Sequence, residues 1–156
     1  MGKYFQKVSL DDVYITALKG RRQRNAEGWE RIVPIEKKIR PSGCSLLDEI
    51  IYLIEFEGKM TVEDLATAMD AQPLDLSGAC RVITGMTLGD FLMAYRMKKV
   101  EELLTCTSLT LPEIARRCGF KSRGTMSQFF VRAKGIPPSI YRTSRRPKNF
   151  RVLYAW

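Results

Sequence analysis

Between Lys121 and Arg132 the sequence gathers one carboxamide, three hydroxyls, one valine and three cations, with no acid among them. A carboxamide such as Gln128 matches the paired donor and acceptor on an adenine edge. Val131 suits a thymine methyl, and Arg123 can reach guanine or a phosphate. Read as a helix with Met126, Phe129, Phe130 and Ala133 inward, the stretch turns Gly124, Gln128 and Val131 outward, flanked by Thr125 and Ser127. Base contacts are therefore expected from Arg123, Gly124, Thr125, Ser127, Gln128 and Val131, with Gly124 allowing close backbone approach. Most hydrogen bonds to DNA go to the backbone, so Lys121, Ser122, Arg132 and Arg142 are expected on phosphates. The plainer readings are a solvated Gln128 and an Arg123 that touches only phosphate.

The elements that must carry these residues are short. Thr110 with Glu113 forms a capping-box pattern ahead of an apolar helix (Leu111, Ile114, Ala115, Cys118), and Gly119 suits the turn after it. Ser122 then caps the helix described above. Two short helices on a tight glycine turn make a helix-turn-helix, whose second helix is the one laid in a major groove. Thr110 is a further phosphate candidate through its helix N-terminus, although a simple cap explains the threonine equally.

Thr61 to Phe91 repeats this pattern. Thr61 and Asp64 match Thr110 and Glu113 at an offset of 49; after the turn Leu76, Ser77, Cys80, Gly85 and Phe91 match Met126, Ser127, Phe130, Gly135 and Tyr141 at 50. One residue inserted in the first turn accounts for the shift, and Asp70 stands where the turn glycine belongs. Two copies of one unit follow. In this first unit Ser77 and Gly78 are the candidates for base contact and Arg81 for a phosphate. Between the copies a helix from Leu88 to Thr105 buries Leu88, Phe91, Leu92, Tyr95, Val100, Leu103 and Leu104. A rod of about 27 Å approaches one turn of DNA, about 34 Å.

The flanks are less regular. Residues 1–42 read as a basic extension with one helix, Leu10 to Leu18, capped by Ser9 with Asp12 and closed by Gly20. Arg21, Arg22 and Arg24 follow, as a solvated loop or a phosphate-contacting arm. Ser45 to Phe56 is a core helix ended by Gly58. Residues 147–156 form an apolar tail; Phe150, Val152, Leu153, Tyr154 and Trp156 are expected to pack on the domain or on a second subunit.

Composition excludes several classes. There is no histidine in 156 residues, which removes the usual general base and metal ligand, so neither an enzyme nor a cofactor is expected. Cys44, Cys80, Cys106 and Cys118 include no CxxC and read as buried structural thiols. No apolar run is long enough for a membrane span and no secretory core opens the chain, which places it in the cytoplasm. The net charge of +9 divides as +5 over 1–42, −6 over 43–109 and +10 over 110–156. A basic balance gathered on one segment points to a polyanion.

Taken together, the duplication, the linker Arg96-Met97-Lys98-Lys99-Val100-Glu101-Glu102-Leu103-Leu104, Ile114-Ala115, Gly119-Phe120, Phe130, Gly135, Pro138 and Tyr141-Arg142 resemble the AraC/XylS DNA-binding domain over about two thirds of the chain, roughly residues 43–146. The resemblance implies an all-α fold of seven helices: a first unit over 43–87, a linker helix over 88–106 and a second unit over 107–146. It implies sequence-specific transcriptional control in a bacterium, with double-stranded DNA as partner. With only 42 residues ahead of it, the architecture is similar to the short stand-alone members, acting as a monomer or as a homodimer through the terminal extensions. Departures from the family pattern are Val131 and Gly78, where relatives carry basic residues, and Asp75. They suggest that the second unit supplies most of the affinity. The alternative is an interaction module that docks RNA polymerase or another regulator through the acidic first unit, with weak, sequence-blind DNA binding.

Overall fold

The computed structural model describes residues 6–156; the first five residues of the basic extension lie outside the described range. The elements run α1 (Leu10–Val13), β1 (Gly20–Arg24), β2 (Glu30–Pro34), α2 (Ser45–Glu57), α3 (Val62–Ala68), α4 (Pro73–Thr84), α5 (Leu88–Cys106), α6 (Leu111–Arg117), α7 (Arg123–Lys134), α8 (Pro138–Arg145), α9 (Phe150–Leu153) and β3 (Tyr154–Ala155). Seven helices, α2 to α8, lie within 43–146, as expected of an all-α double helix-turn-helix; the small sheet is an addition outside it.

The duplication is visible in the element bounds. α3 and α6 each span 7 residues and α4 and α7 each span 12. Both first helices open on a threonine side chain accepting from N3 and close on a positive φ, 50° at Asp70 and 79° at Gly119. Ala71 N donates to Ala66 O just as Phe120 N donates to Ala115 O, so the turns agree up to that point. The extra residue follows it, in the second unit's turn (118–122) rather than the first unit's (69–72), which corrects the expected position. Aspartate tolerates the left-handed backbone because its short polar side chain adds little steric conflict there.

The chain divides into two compact units, residues 1–15 with 38–95 and residues 16–37 with 96–156. In the first, Leu47, Ile50, Ile51, Ile54, Leu65, Leu76 and Cys80 pack with Leu88, Phe91 and Tyr95 from the start of α5. Tyr95 donates its hydroxyl to Glu55 Oε1 at 2.6 Å and accepts from Ile15 N at 3.2 Å. In the second, Val100, Leu103, Leu104, Ile114, Ala115, Cys118, Met126 and Phe130 form the core. All seven apolar positions expected of α5 are buried. Cys80 and Cys118 are buried, Cys44 and Cys106 half-buried, and all are free. Burial pushes the Cys118 thiol up to about 12.

The extension departs from expectation. The Ser9–Asp12 capping box forms, but the helix stops at Val13 instead of running to Leu18. Tyr14 is extended, the β-branched Ile15 and Thr16 favour that state, and Glu102 takes over the backbone by accepting from Ala17 N at 2.6 Å and Thr16 Oγ1 at 2.8 Å. Gly20 is not a helix cap. It lies in a sheet of order β2-β1-β3, opposite both Pro34 and Ala155, where an added Cβ would meet Ile32 Cγ2 at 2.7 Å. The tail supplies β3 and buries Phe150 beneath a stacked Trp156, while Val152 stays 53% exposed. The N-terminal extension and the tail thus pair with each other through β1 and β3.

Candidate nucleic-acid interface

α7 is short of helix-forming apolar residues but well bounded. Ser122 Oγ accepts from Thr125 N at 3.1 Å, and Gly135 at φ 79° ends the helix. Met126 and Phe130 are fully buried; Phe129 is half-buried against Phe120, ring centroids 6.0 Å apart. Ala133, expected inward, is exposed because the core beneath the last turn has ended. Gly124, Gln128 and Arg132 are exposed and Val131 is 42% exposed, so the outward face is the one expected from the helical period. A Cβ at Gly124 would find only Ser122 Oγ, at 3.8 Å. The fold does not demand glycine there; a close-approaching partner would.

The charged and polar groups sort by what already holds them. Lys121 and Arg123 are exposed with no partner among the described residues. Arg132 carries its guanidinium over the Phe129 ring, 5.7 Å from the centroid, which keeps the cation extended along the face. Ser127 and Thr125 are half-buried; the Thr125 hydroxyl shares a 3.0 Å hydrogen bond with Ser122 Oγ. Lys134 is ion-paired with Glu101 of α5.

Two expected phosphate ligands are engaged elsewhere. Thr110 donates both its N–H (2.8 Å) and its hydroxyl (2.9 Å) to Glu113 Oε2. The carboxylate occupies the donors a phosphate would use, and those bonds hold its pKa below the usual glutamate range. Arg142 turns inward: Nε donates to Leu104 O at 3.0 Å and Nη2 to Leu103 O at 3.4 Å, satisfying carbonyls at the C-terminal end of α5. Burial pulls its pKa below the ordinary arginine value. Arg146 does the same for Thr107 O at 3.2 Å while stacking on Phe150. A basic residue near a helix C-terminus is the sequence signal for such a role.

α4 offers a different surface. Ser77, expected to face outward, is half-buried and its Oγ accepts from Leu88 N at 3.4 Å, joining α4 to the start of α5. Gly78 and Arg81 are exposed, and an added Cβ at Gly78 would meet nothing within 4 Å. Sequence reasoning missed Leu74 and Val82, which stand 86% and 65% exposed on this same face. The offset of 50 had the signal, since they match Gly124 and Arg132.

Electrostatically the units are opposites. The first holds 6 Lys/Arg and 11 Asp/Glu, for −5; the second holds 20 and 6, for +14. No cluster of acids and thiols among the described residues is arranged to hold a metal.

Residues 65–144 match the family model described as a helix-turn-helix domain, half of the chain. The chain belongs to the AraC-type helix-turn-helix regulators. It is similar to the transcriptional activator AarP of Providencia stuartii, 29% identical over 111 residues, 70% of this chain and 82% of that one. It is also 25% identical over 131 residues to the regulator YtdP of Bacillus subtilis, 78% of this chain but 17% of that protein, so it spans only a small part of some relatives. Among solved structures, the C-terminal domain of the response regulator AraT from Geobacillus stearothermophilus superposes with a TM-score of 0.60 at 28% identity, covering 67% of this chain and 88% of that one. The DNA-binding domain of AdpA, solved with a target DNA, gives 0.58 at 26%, covering 67% and 97%. These relatives are regulators, not enzymes, and those whose source is named are bacterial. No helix among the described residues is long and apolar enough to cross a membrane.

Proposed function

We propose that this AraC-type regulator binds one DNA duplex sequence-specifically from the bacterial cytoplasm, offering α4 and α7 to successive major grooves, with the α7 unit supplying most of the affinity. The observation that carries this reading is the contrast between two copies of one module. The outward face of α7 is Gly124, Gln128, Val131 and Arg132 on a unit of +14, whereas that of α4 is Leu74, Gly78, Arg81 and Val82 on a unit of −5. Gln128 and Arg123 read bases, with Thr125, Ser127 and Val131 beside them. Lys121, Ser122 and Arg132 hold phosphates. α4 sets register: Arg81 takes a phosphate, and Leu74 and Val82 meet thymine methyls, the one apolar group a major groove presents.

Selection of duplexes from a random pool by the purified chain tests this. Binding of the selected duplex is expected at ~10⁻⁸ M or tighter at physiological salt, with a steep loss as salt rises. Replacing thymine by uracil in the half-site under α4 should weaken binding of the parent but not of the double variant Leu74→Ala/Val82→Ala.

The second reading makes α4 a docking surface for RNA polymerase or another regulator, favoured by the same exposed Leu74 and Val82 and the negative charge around them. It requires a stable protein complex, indifference to uracil, and only weak, sequence-blind DNA binding.

A further inference from the structure

The hairpin of β1 and β2 lies outside the span of the helix-turn-helix match, and its composition is unusual for a mere brace. Side chains alternate across a strand, so one face carries Arg22 and Arg24 over Glu30 and Ile32, and the other carries Arg21 and Gln23 beside Arg31 and Val33. Glu30 neutralises the first set, ion-pairing with Arg22 and, at 2.9 Å, with Arg24. The second face carries no acid of its own, and only Arg21, at its root, meets one, Glu102. Toward the tip it opens into a cleft of about 330 Å³ lined by Gln23, Arg24, Asn25, Trp29, Arg31 and Val33, none of them acidic. Trp29 is 74% exposed at its mouth, and Arg31 has no ion-pair partner among the described residues.

The hairpin is also held in a fixed place. Its root is pinned by Arg21 to Glu102 at 3.6 Å, by Lys19 N to Ala155 O at 2.8 Å and by the Gly20–Ala155 and Arg21–Tyr154 pairing with β3. Those anchors belong to the same compact unit as α7. The tip turn is set by Asn25, whose side chain accepts from Glu27 N and Trp29 N, and by Gly28 at φ 89°. A rigid, cationic ribbon with an exposed indole on the +14 unit is built to meet a polyanion without folding on contact.

We propose that the hairpin is a separate DNA-contacting element that grips the sugar-phosphate backbone of the duplex flanking the helix-turn-helix site, Arg31 on a phosphate and Trp29 against sugar. This rests on the DNA-binding reading of α7. The contact is blind to base sequence and lengthens the footprint on one side only.

The test uses the full chain and a duplex it selects from a random pool, at full length and with each flank trimmed in steps. Trimming one flank, and not the other, should weaken binding and lower the log–log salt slope by about 1 for each lost phosphate contact. Arg31→Ala should reproduce that loss on the long duplex and change nothing on the trimmed one. Because Arg31 pairs with no acid, its removal breaks no ion pair of the fold, and Arg31→Lys should keep most of the salt slope. With Trp156→Phe leaving Trp29 as sole indole, emission should change with the long duplex and stay constant with the trimmed one. Equal affinity for both lengths, an Arg31→Ala loss that persists on the trimmed duplex, or a silent Trp29 would each overturn the proposal while leaving the α7 reading intact. Failure to select any duplex would remove that reading itself.

Discussion

At the scale of single residues, the proposed base reading turns on Gln128, exposed at the centre of the outward face of α7 and flanked by positions that are small or open. A carboxamide there discriminates by pairing with both groups of an adenine edge, so Gln128→Ala should cost about 1–3 kcal/mol at one base pair and relax preference only there. Competition binding against the four variants of each position reads this directly, and an equal loss on all sequences would mean a backbone contact. Glu113 is a quieter case. Thr110 donors hold its carboxyl below the ordinary glutamate range, so its folded pKa lies under the unfolded value of about 4.3. The stability it contributes is therefore complete above the unfolded pKa and lost as pH falls through the folded one. Thermal melts should show Glu113→Ala below the parent at neutral pH, with the gap closing in acid. Thr110→Ala, which removes the cap itself, should cost about 1 kcal/mol at neutral pH.

At the scale of elements, the helices were legible because their signals are local. The apolar period, the caps at Thr61, Thr110 and Ser122, and the glycines at 58, 85, 119 and 135 all act within one or two turns, and each ended up where the spacing put it. The hairpin was not legible. Neither GRRQR nor ERIVP alternates apolar and polar residues, and what fixes Gly20 is pairing with Ala155, 135 positions away, together with Glu102 reaching back to Thr16 and Ala17. Such pairings leave no mark in a short window. Arg142 was missed for a related reason: a cation in a basic segment looks the same whether it faces a phosphate or a carbonyl. In the fold it ties α8 to the end of α5. Arg142→Ala should therefore destabilise the chain by about 1.5–3 kcal/mol, the value of hydrogen bonds to a charged donor. Arg142→Lys should recover little, because lysine lacks the fork. The salt slope of DNA binding should be unchanged in both, measured below their melting temperatures; a slope lowered by about 1 would restore Arg142 to the phosphate ligands.

At the scale of the whole molecule, two copies of one helical pattern belong to compact units of opposite net charge. Both copies keep the same helix lengths, a threonine cap on the first helix and a glycine after the second, yet 20 of the 26 basic residues belong to the second unit. Fold and function therefore vary separately here: the buried positions are shared because both copies must close the same core, while the exposed positions answer to what each meets. On the proposed reading, a duplex that meets both units gains most of its counterion-release free energy from the one of +14. The consequence is an order of effects between two arginines on corresponding recognition helices. Arg132 sits extended over Phe129 in the basic unit, and Arg81 is the one cation of α4 in the acidic unit. Arg132→Ala should weaken binding more than Arg81→Ala, and its deficit should shrink more as salt rises, since screening removes most from the contact that had most to lose. Titrations of both variants on one selected duplex at low and physiological salt settle the order. The reverse order would place the dominant contact on α4 and require its acidic surroundings to face away from the duplex.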